Sequence, residues 1–292
     1  MFSLEKGVSP NVVSVYLDCK KKREHWFLLR SDAHHDNPHC NQELEKKHLD
    51  EALEREAGII DAGDLFCAMQ GKYDKRSNKA DIRPEHQNGE YLDSLVSTAA
   101  EFYEPYAKNI IALGYGNHET SILGRHETNL TERLAQALRT KTGAMVPVTG
   151  YTGWVRFNLN DGNNRRNSRT LWHMHGYGGG GPVTQDTIQA QRQNAYIDGA
   201  DIMLSGHVHQ RWLQENTKLY IDPLGEVKHR SSWYVKASTY KEEYGSGVGG
   251  WHVGTGKPPK PLGAWWLKLT LDRYKTKGKN HLTTHIEITP TN

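Results

Sequence analysis

Asp201-Ile202-Met203-Leu204-Ser205-Gly206-His207-Val208-His209 is the stretch whose reading decides the fold. Asp201 to Ser205 reads as a short buried strand, and the glycine after it turns the chain. Two imidazoles then stand one residue apart on the turn, where they can serve two neighbouring cations. Working outward, the same device recurs four times. Residues 25–31 (HWFLLRS) form a short apolar strand that feeds Asp32-Ala33-His34. Gly58-Ile59-Ile60-Asp61-Ala62 feeds Gly63-Asp64. Residues 109–114 feed Gly116-Asn117-His118-Glu119, and residues 169–175 end at His175-Gly176. Taken singly, each block is weak, and a capped turn or a hydrogen-bonded buried His is its ordinary reading. Five in order, each just after a strand, point to one shared site.

The remaining periodicity fills in the architecture. Asn41–Glu56 reads as a helix, with Leu44, His48, Leu49, Ala52 and Leu53 at three- and four-residue steps. Residues 90–107, 130–138 and 183–196 read as helices too. Residues 11–18 alternate as an edge strand, and 145–160 suggest a strand pair around Thr149-Gly150. After residue 210 short strands dominate: 211–221, 230–238, 263–271 and 282–288. Early alternation and late strands predict an α/β fold of two packed mixed β-sheets flanked by α-helices, with every block on a loop at one edge. The polar stretch 67–90 carries Lys72, Lys75, Arg76, Lys79 and Arg83. It is longer than most connections, which predicts a functional or a disordered loop. No repeat or low-complexity linker divides the chain, so one domain is expected over 1–292, with a motif core of about 24–240 and further strands and loops over 241–292.

Bulk composition narrows the classes. The 292 residues are 36% apolar with a formal charge of +3, and the mean hydropathy is −0.76. No apolar run approaches the roughly 18–20 residues that cross a bilayer, so no membrane partner is expected. The start of the chain has no charged and apolar leader pattern. Cys19, Cys40 and Cys67 are odd in number and irregularly spaced, which suits a reducing, cytoplasmic compartment without a disulfide framework. The small net charge argues only weakly for nucleic acid. The basic runs Lys20–Arg23 and Arg165-Arg166 read first as solvated faces.

The pattern D-x-H, G-D, G-N-H-(D/E), His before glycine and G-H-x-H resembles that of the calcineurin-like metallophosphoesterase superfamily, without a substitution. The resemblance covers roughly residues 24–240. It implies a β-sandwich covered by helices, and two metal ions about 3.5–4 Å apart. It also implies hydrolysis of a phosphate ester by a metal-bridging hydroxide, with no covalent enzyme intermediate. By position it puts Asp32, His34 and His209 on the first metal, Asn117, His175 and His207 on the second, and Asp64 between them. His118 then faces the substrate, to stabilise the transition state or protonate the leaving oxygen. Manganese is the first choice of metal, and iron, zinc and nickel also suit this mixed donor set. His173 competes with His175 from the same strand face; the glycine after His175 favours the latter, with His173 as its support. Glu119 orients a ligand or caps the helix that follows. His35 and Asp36 read as supporting or solvent-facing residues.

Gly63-Asp64-Leu65-Phe66-Cys67-Ala68-Met69 departs from the G-D-x-V-D-R-G of protein Ser/Thr phosphatases, lacking the second Asp and the Arg. It is more similar to the bacterial, archaeal and viral phosphodiesterase and DNA-repair nuclease branches. A phosphodiesterase or phosphomonoesterase acting on small phosphate esters is therefore the first reading, the diesterase ahead, with nucleotides among its candidate substrates. A DNA or RNA nuclease is the second. A catalytically silent binding module is the third, and the intact His118 and donor set speak against it. The run Gly176–Gly181 lacks the Lys-Ser/Thr of a P-loop. It either lends backbone N–H groups to the substrate or merely needs glycine dihedrals. Cys67 reads as a small buried residue, Arg125 and His126 as a solvated helix face within reach of a phosphate. Trp251, in the glycine-rich 245–256 stretch, is the tryptophan placed near substrate. The sequence leaves the oligomeric state open.

Overall fold

A computed structural model of the chain describes residues 2–69, 76–162, 166–245, 250–276 and 278–292, without the side chains of Trp251 and Lys279. Its strands form two mixed sheets. The seven-stranded sheet runs in the order β1 (Phe2–Lys6), β2 (Val12–Asp18), β7 (Thr152–Asn160), β8 (Arg166–Met174), β9 (Ile202–Ser205), β11 (Val227–Lys236), β10 (Trp212–Ile221). The six-stranded sheet runs β13 (Lys279–Pro290), β12 (Trp265–Thr276), β3 (Glu24–Arg30), β4 (Gly58–Asp61), β5 (Ile110–Gly114), β6 (Val148–Gly150). Neighbours β3 to β6 are parallel, as are β8, β9 and β11.

Strand alternation divides the apolar residues between layers. Phe27 and Leu29 point between the sheets with Ile60, Val155, Leu171, Leu204 and Leu267, and Phe27 meets Phe157 with ring centroids 4.6 Å apart. Leu28 and Ile59 point outward beneath α1 (Gln42–Glu54), α2 (Tyr91–Tyr103) and α4 (Leu130–Thr142). On the other outer face Ala190 of α5 (Thr187–Tyr196) packs on Trp172, Met203 and Tyr234. Helices thus flank two packed sheets.

Several expected elements are corrected. Strand 11–18 is not an edge: β1 pairs with it on one side and β7 on the other, with Val13, Val15 and Leu17 buried. The strand pair expected around Thr149-Gly150 is not a hairpin. Gly150, at φ +82°, turns the chain from β6 in one sheet to β7 in the other. The helix expected from residue 183 starts at Thr187, because Gln185 and Asp186 stand at φ 46° and 73°. The helix expected over 90–107 ends at Tyr103 and tightens into a 3-10 turn over Glu104–Asn109, where Pro105 lacks an N–H. Within 67–90 two short 3-10 turns form, Lys79–Asp81 and Pro84–His86, while Lys72 and Lys75 fall outside the described residues. Among the described residues no helix is long and apolar enough to cross a membrane. The three cysteines are buried free thiols.

One buried ionic group ties the layers together behind the loops. Arg30, at the end of β3, pairs with Asp61 at 2.7 Å and Glu45 at 2.9 Å. Glu45 also meets His35 Nδ1 at 2.8 Å and accepts from the Tyr103 hydroxyl. Burial alone would raise the Glu45 carboxyl, but His35 and Arg30 hold it down to about 2. A depressed carboxyl stabilises the fold above its unfolded value, about 4.3, and that stability is lost as pH falls from there toward 2. Glu45→Gln is expected to cost about 3 kcal/mol, since it leaves a buried guanidinium with one carboxylate fewer. Urea unfolding at neutral pH checks this, and the difference from wild type should shrink at about pH 3.

Candidate metal centre

All five blocks lie just past the C-terminal ends of β3, β4, β5, β8 and β9, so two sets of parallel strands from two sheets deliver them to one rim. Period-2 strand geometry does not hold Asp32 and His34 together, as their spacing suggested, because β3 ends at Arg30. Both residues are left-handed, with φ of 53° and 46°, and so are Asp64 (53°), His207 (76°) and His209 (55°). Such a backbone costs about 1–3 kcal/mol per non-glycine residue, and it clusters where function requires it. Tertiary bonds hold it in place: Asp32 N donates to Gly63 O at 2.9 Å, and His34 N to Asp64 O at 3.0 Å.

The glycines of the blocks admit this crowding. A Cβ on Gly206 would stand 2.0 Å from Ser31 Oγ, and one on Gly116 only 1.9 Å from Asp64 Oδ1. Gly116→Ala is therefore expected to displace Asp64 or the start of α3 (Asn117–His126). A misplacement of about 1 Å costs on the order of 10²-fold in turnover. Steady-state kinetics, with circular dichroism to confirm the fold, test it.

The donor atoms form two adjoining sets. In one, His34 Nε2 lies 3.2 Å from His209 Nε2, which lies 3.3 Å from Asp32 Oδ1. In the other, His175 Nε2 lies 3.2 Å from both Asp64 Oδ2 and Asn117 Oδ1, and His207 Nδ1 lies 2.7 Å from Asn117 Oδ1. The ligand atoms of Asp32, His34 and His209 lie within 4.8 Å of one another, as do those of Asp64, His175 and His207. Bonds of about 2.1 Å from one cation at octahedral or tetrahedral angles separate donors by about 3.0–3.4 Å. The 3.2 and 3.3 Å spacings match this, while His207 Nδ1–Asn117 Oδ1 at 2.7 Å is tighter and His34 Nε2–Asp32 Oδ1 at 4.0 Å is wider, so either set is a group that could hold a metal. Across the sets, Asp32 Oδ1 is 4.0 Å from His175 Nε2.

Outer contacts fix which nitrogens face inward. His175 Nδ1 faces the Ala62 carbonyl at 3.2 Å, and His207 Nε2 faces the Gly178 carbonyl at 2.8 Å. A neutral ring so held turns its other nitrogen toward Asn117 as a lone-pair donor, the arrangement in which a metal-ligating His is oriented by the carbonyl behind it. Hydrogen bonding alone favours the reversed Asn117 amide, whose nitrogen donates to His207 Nδ1, His175 Nε2 and Asp64 Oδ2 and whose oxygen accepts from Arg76 Nη1 at 3.1 Å; an oxygen turned inward would suit a cation between these groups. His34 Nδ1 and His209 Nδ1 are buried and have no hydrogen-bond partner among the described residues. Against burial, the Asp64 and Asp32 carboxylates raise His175 to about 9, so the donor set attracts positive charge.

His118 stands beside this cluster. Its backbone N–H donates to Asp64 Oδ1 at 2.9 Å, which leaves Asp64 Oδ2 as the oxygen toward His175 Nε2. Its ring Nδ1 sits 2.5 Å from the Cys67 carbonyl, and Nε2 is 3.8 Å from Asp64 Oδ2. Burial lowers its pKa, and Asp64 opposes that shift.

The neighbouring residues resolve as follows. Glu119 accepts from Asp64 N at 3.1 Å, Phe66 N at 2.9 Å and Gly116 N at 2.7 Å, so it both caps α3 and positions the loop of Asp64. Burial and the Asp64 charge raise its carboxyl. His35 and Asp36 are buried rather than solvent-facing: His35 serves Glu45, and Asp36 caps the N–H groups of Cys67 and Ala68. His173 lies inside β8 against Thr149 Oγ1 at 2.8 Å, away from the donors, and burial lowers it to about 4. Gly178 contributes a carbonyl to His207, and Gly178, Gly179 and Gly180 line the cleft above the donors. Cys67 is buried, and burial raises its thiol, though its Sγ lies within 4.8 Å of ring nitrogens of His34 and His118. Arg125 and His126 do not line the cleft. The Trp251 side chain lies outside the described residues.

A cleft of about 640 Å³ opens over the donors. The sequence reading missed its far wall, where Lys241 pairs with Glu243 at 2.5 Å and Glu243 holds His252 Nδ1 at 2.6 Å. The His252 ring centroid is 5.4 Å from that of His209. No spacing pattern marks these residues. They arrive because the segment after β11 wraps Asp32, with Thr239 Oγ1 donating to its carbonyl at 2.7 Å.

No family model and no curated protein matches the chain. Among solved structures, vacuolar protein sorting 29 from Cryptosporidium parvum is similar at 13% identity, over 92% of this chain and 100% of that one, with a TM-score of 0.35. GAP50, the anchor in the inner membrane complex of Plasmodium, is similar at 12% identity, over 89% and 88%, with a TM-score of 0.41.

Proposed function

We propose that this chain is a metal-dependent phosphoric ester hydrolase of the calcineurin-like metallophosphoesterase type, and in the first instance a phosphodiesterase. The observation that carries the reading is the pair of adjoining donor sets, with His118 beside the carboxylate of Asp64. Asp32, His34 and His209 would hold one cation, and Asn117, His175 and His207 the other, with Asp64 Oδ2 between them. Two cations so held would neutralise the phosphoryl oxygens and acidify water. The Cys67 carbonyl fixes the His118 ring so that Nε2 turns to the cleft, where it meets the leaving oxygen. Lys241 and Arg76 line the cleft and offset charge on the phosphoryl group.

Nuclease activity is the second reading, favoured by the further cations Lys257 and Lys260 on the same cleft. Turnover of bis(p-nitrophenyl) phosphate with added Mn²⁺, set beside cleavage of plasmid and single-stranded DNA, tests both. Chelator-sensitive turnover of the small diester supports the first reading, and DNA cleavage in addition supports the second. Activity on neither substrate with any of Mn²⁺, Fe²⁺, Zn²⁺ or Ni²⁺ would leave the binding-module reading standing instead.

A further inference from the structure

The basic run Lys20–Arg23 and Arg166 take no part in the cleft, and strand direction explains why. Arg165 is outside the described residues. β3 begins at Glu24, next to the first run, and ends before the metal donors; β8 begins at Arg166 and ends before His175. The β12–β13 hairpin lies antiparallel to β3, with Thr270 opposite Glu24, so its turn overhangs the same far end. Seven residues of β3 at about 3.3 Å each put that end about 20 Å from the cleft.

Three connections meet there. Cys19 N donates to Asn160 O at 2.8 Å, and Leu271 N to Arg23 O at 3.1 Å. Arg273 donates to the Asp161 carbonyl at 3.1 Å and lies 3.4 Å from its carboxylate. The Lys20 stem covers Gly162. Between them opens a cavity of about 490 Å³ lined by Asp161, Arg273, Tyr274, Lys275 and His281 among others. Lys20, Lys21, Arg23, Arg166 and Lys275 are exposed, and among the described residues no carboxylate pairs with any of them. Against them stand Glu24 and Asp18, the latter accepting the Lys20 N–H at 2.9 Å. Tyr274 stacks on His281 with centroids 5.2 Å apart and planes 23° apart, and it stays 49% exposed.

We propose that this end of the sandwich binds single-stranded nucleic acid, with the cations on successive phosphates and a base stacked on Tyr274. Cations beside an exposed aromatic face are the parts such sites are made of. The site deepens the hydrolase reading by naming a polymer as substrate: a strand anchored here stays at high effective concentration near the cleft. Its binding does not depend on the metals, so the two readings fail separately.

The test is fluorescence anisotropy of a labelled single-stranded DNA of about 30 nucleotides with the full chain in EDTA. The combined variant Lys20→Glu, Arg23→Glu, Lys275→Glu should bind at least tenfold more weakly, and three lost phosphate contacts should flatten the slope of log K against log salt by about 2. Tyr274→Ala should lose about tenfold with the slope unchanged. Thermal unfolding like wild type shows that either variant is folded. Affinity equal to wild type in the combined variant overturns the proposal. So does preference for phosphatidylserine vesicles over DNA, which the exposed Leu219, Ile221 and Leu224 of the β10–β11 hairpin would carry instead. DNA binding without turnover of bis(p-nitrophenyl) phosphate would refute the hydrolase reading and keep this one.

Discussion

Asp64→Ala is expected to abolish phosphate-ester hydrolysis and to empty both metal positions. Its Oδ1 is engaged by the His118 N–H at 2.9 Å. Its Oδ2 faces His175 Nε2 at 3.2 Å and His118 Nε2 at 3.8 Å, at the junction of the two donor sets. Removing that oxygen would take a donor from each proposed cation and leave four imidazoles and an amide with only Asp32 as an anion. His34→Ala should behave differently, since it takes one donor from one set and should spare the Asn117, His175 and His207 position. Metal content of the purified variants, measured by mass spectrometry alongside turnover, checks both. Two metals retained in Asp64→Ala would contradict the shared position of this carboxylate.

His118→Asn is expected to keep both metals and lose about 10²–10⁴-fold in turnover, the usual cost of removing a proton donor or a charge stabiliser. Asparagine keeps a donor for the Cys67 carbonyl but has nothing at the place of Nε2. The loss should be smaller for p-nitrophenyl esters, whose leaving group needs little protonation, than for alkyl esters. Equal losses would mean that His118 positions the phosphoryl group without acting as the leaving-group acid. A fall in metal content would make it a ligand or a support, against the role assigned to it.

The strands that feed the five blocks were legible because each is a short apolar run stopped by a polar or glycine turn. Helices α1 and α4 were legible from their periodicity. Which sheet a strand joins was not: β6 and β7 read as a pair, yet Gly150 sends them into different sheets. The left-handed backbone at Asp32, His34, Asp64, His207 and His209 left no trace in the sequence either, since none of these is a glycine and the bonds that hold them come from other blocks. Glu119 stood in the motif, and so could be suspected, but its three backbone partners lie up to 55 residues away. Lys241, Glu243 and His252 carry no motif, and only the wrap of the chain around Asp32 brings them to the cleft. The length of the β12–β13 hairpin was underestimated because its outer half is polar on both faces, which reads as loop.

The central claim is that seven residues hold two cations against one carboxylate. Anomalous diffraction from crystals of the chain loaded with Mn²⁺ tests it most directly. The account predicts two peaks about 3.5–4 Å apart, the spacing of two-metal phosphoryl-transfer sites, one among Asp32, His34 and His209, the other among Asn117, His175 and His207, with Asp64 Oδ2 bonded to both. A single peak, or peaks that leave Asp64 without a metal bond, would contradict it.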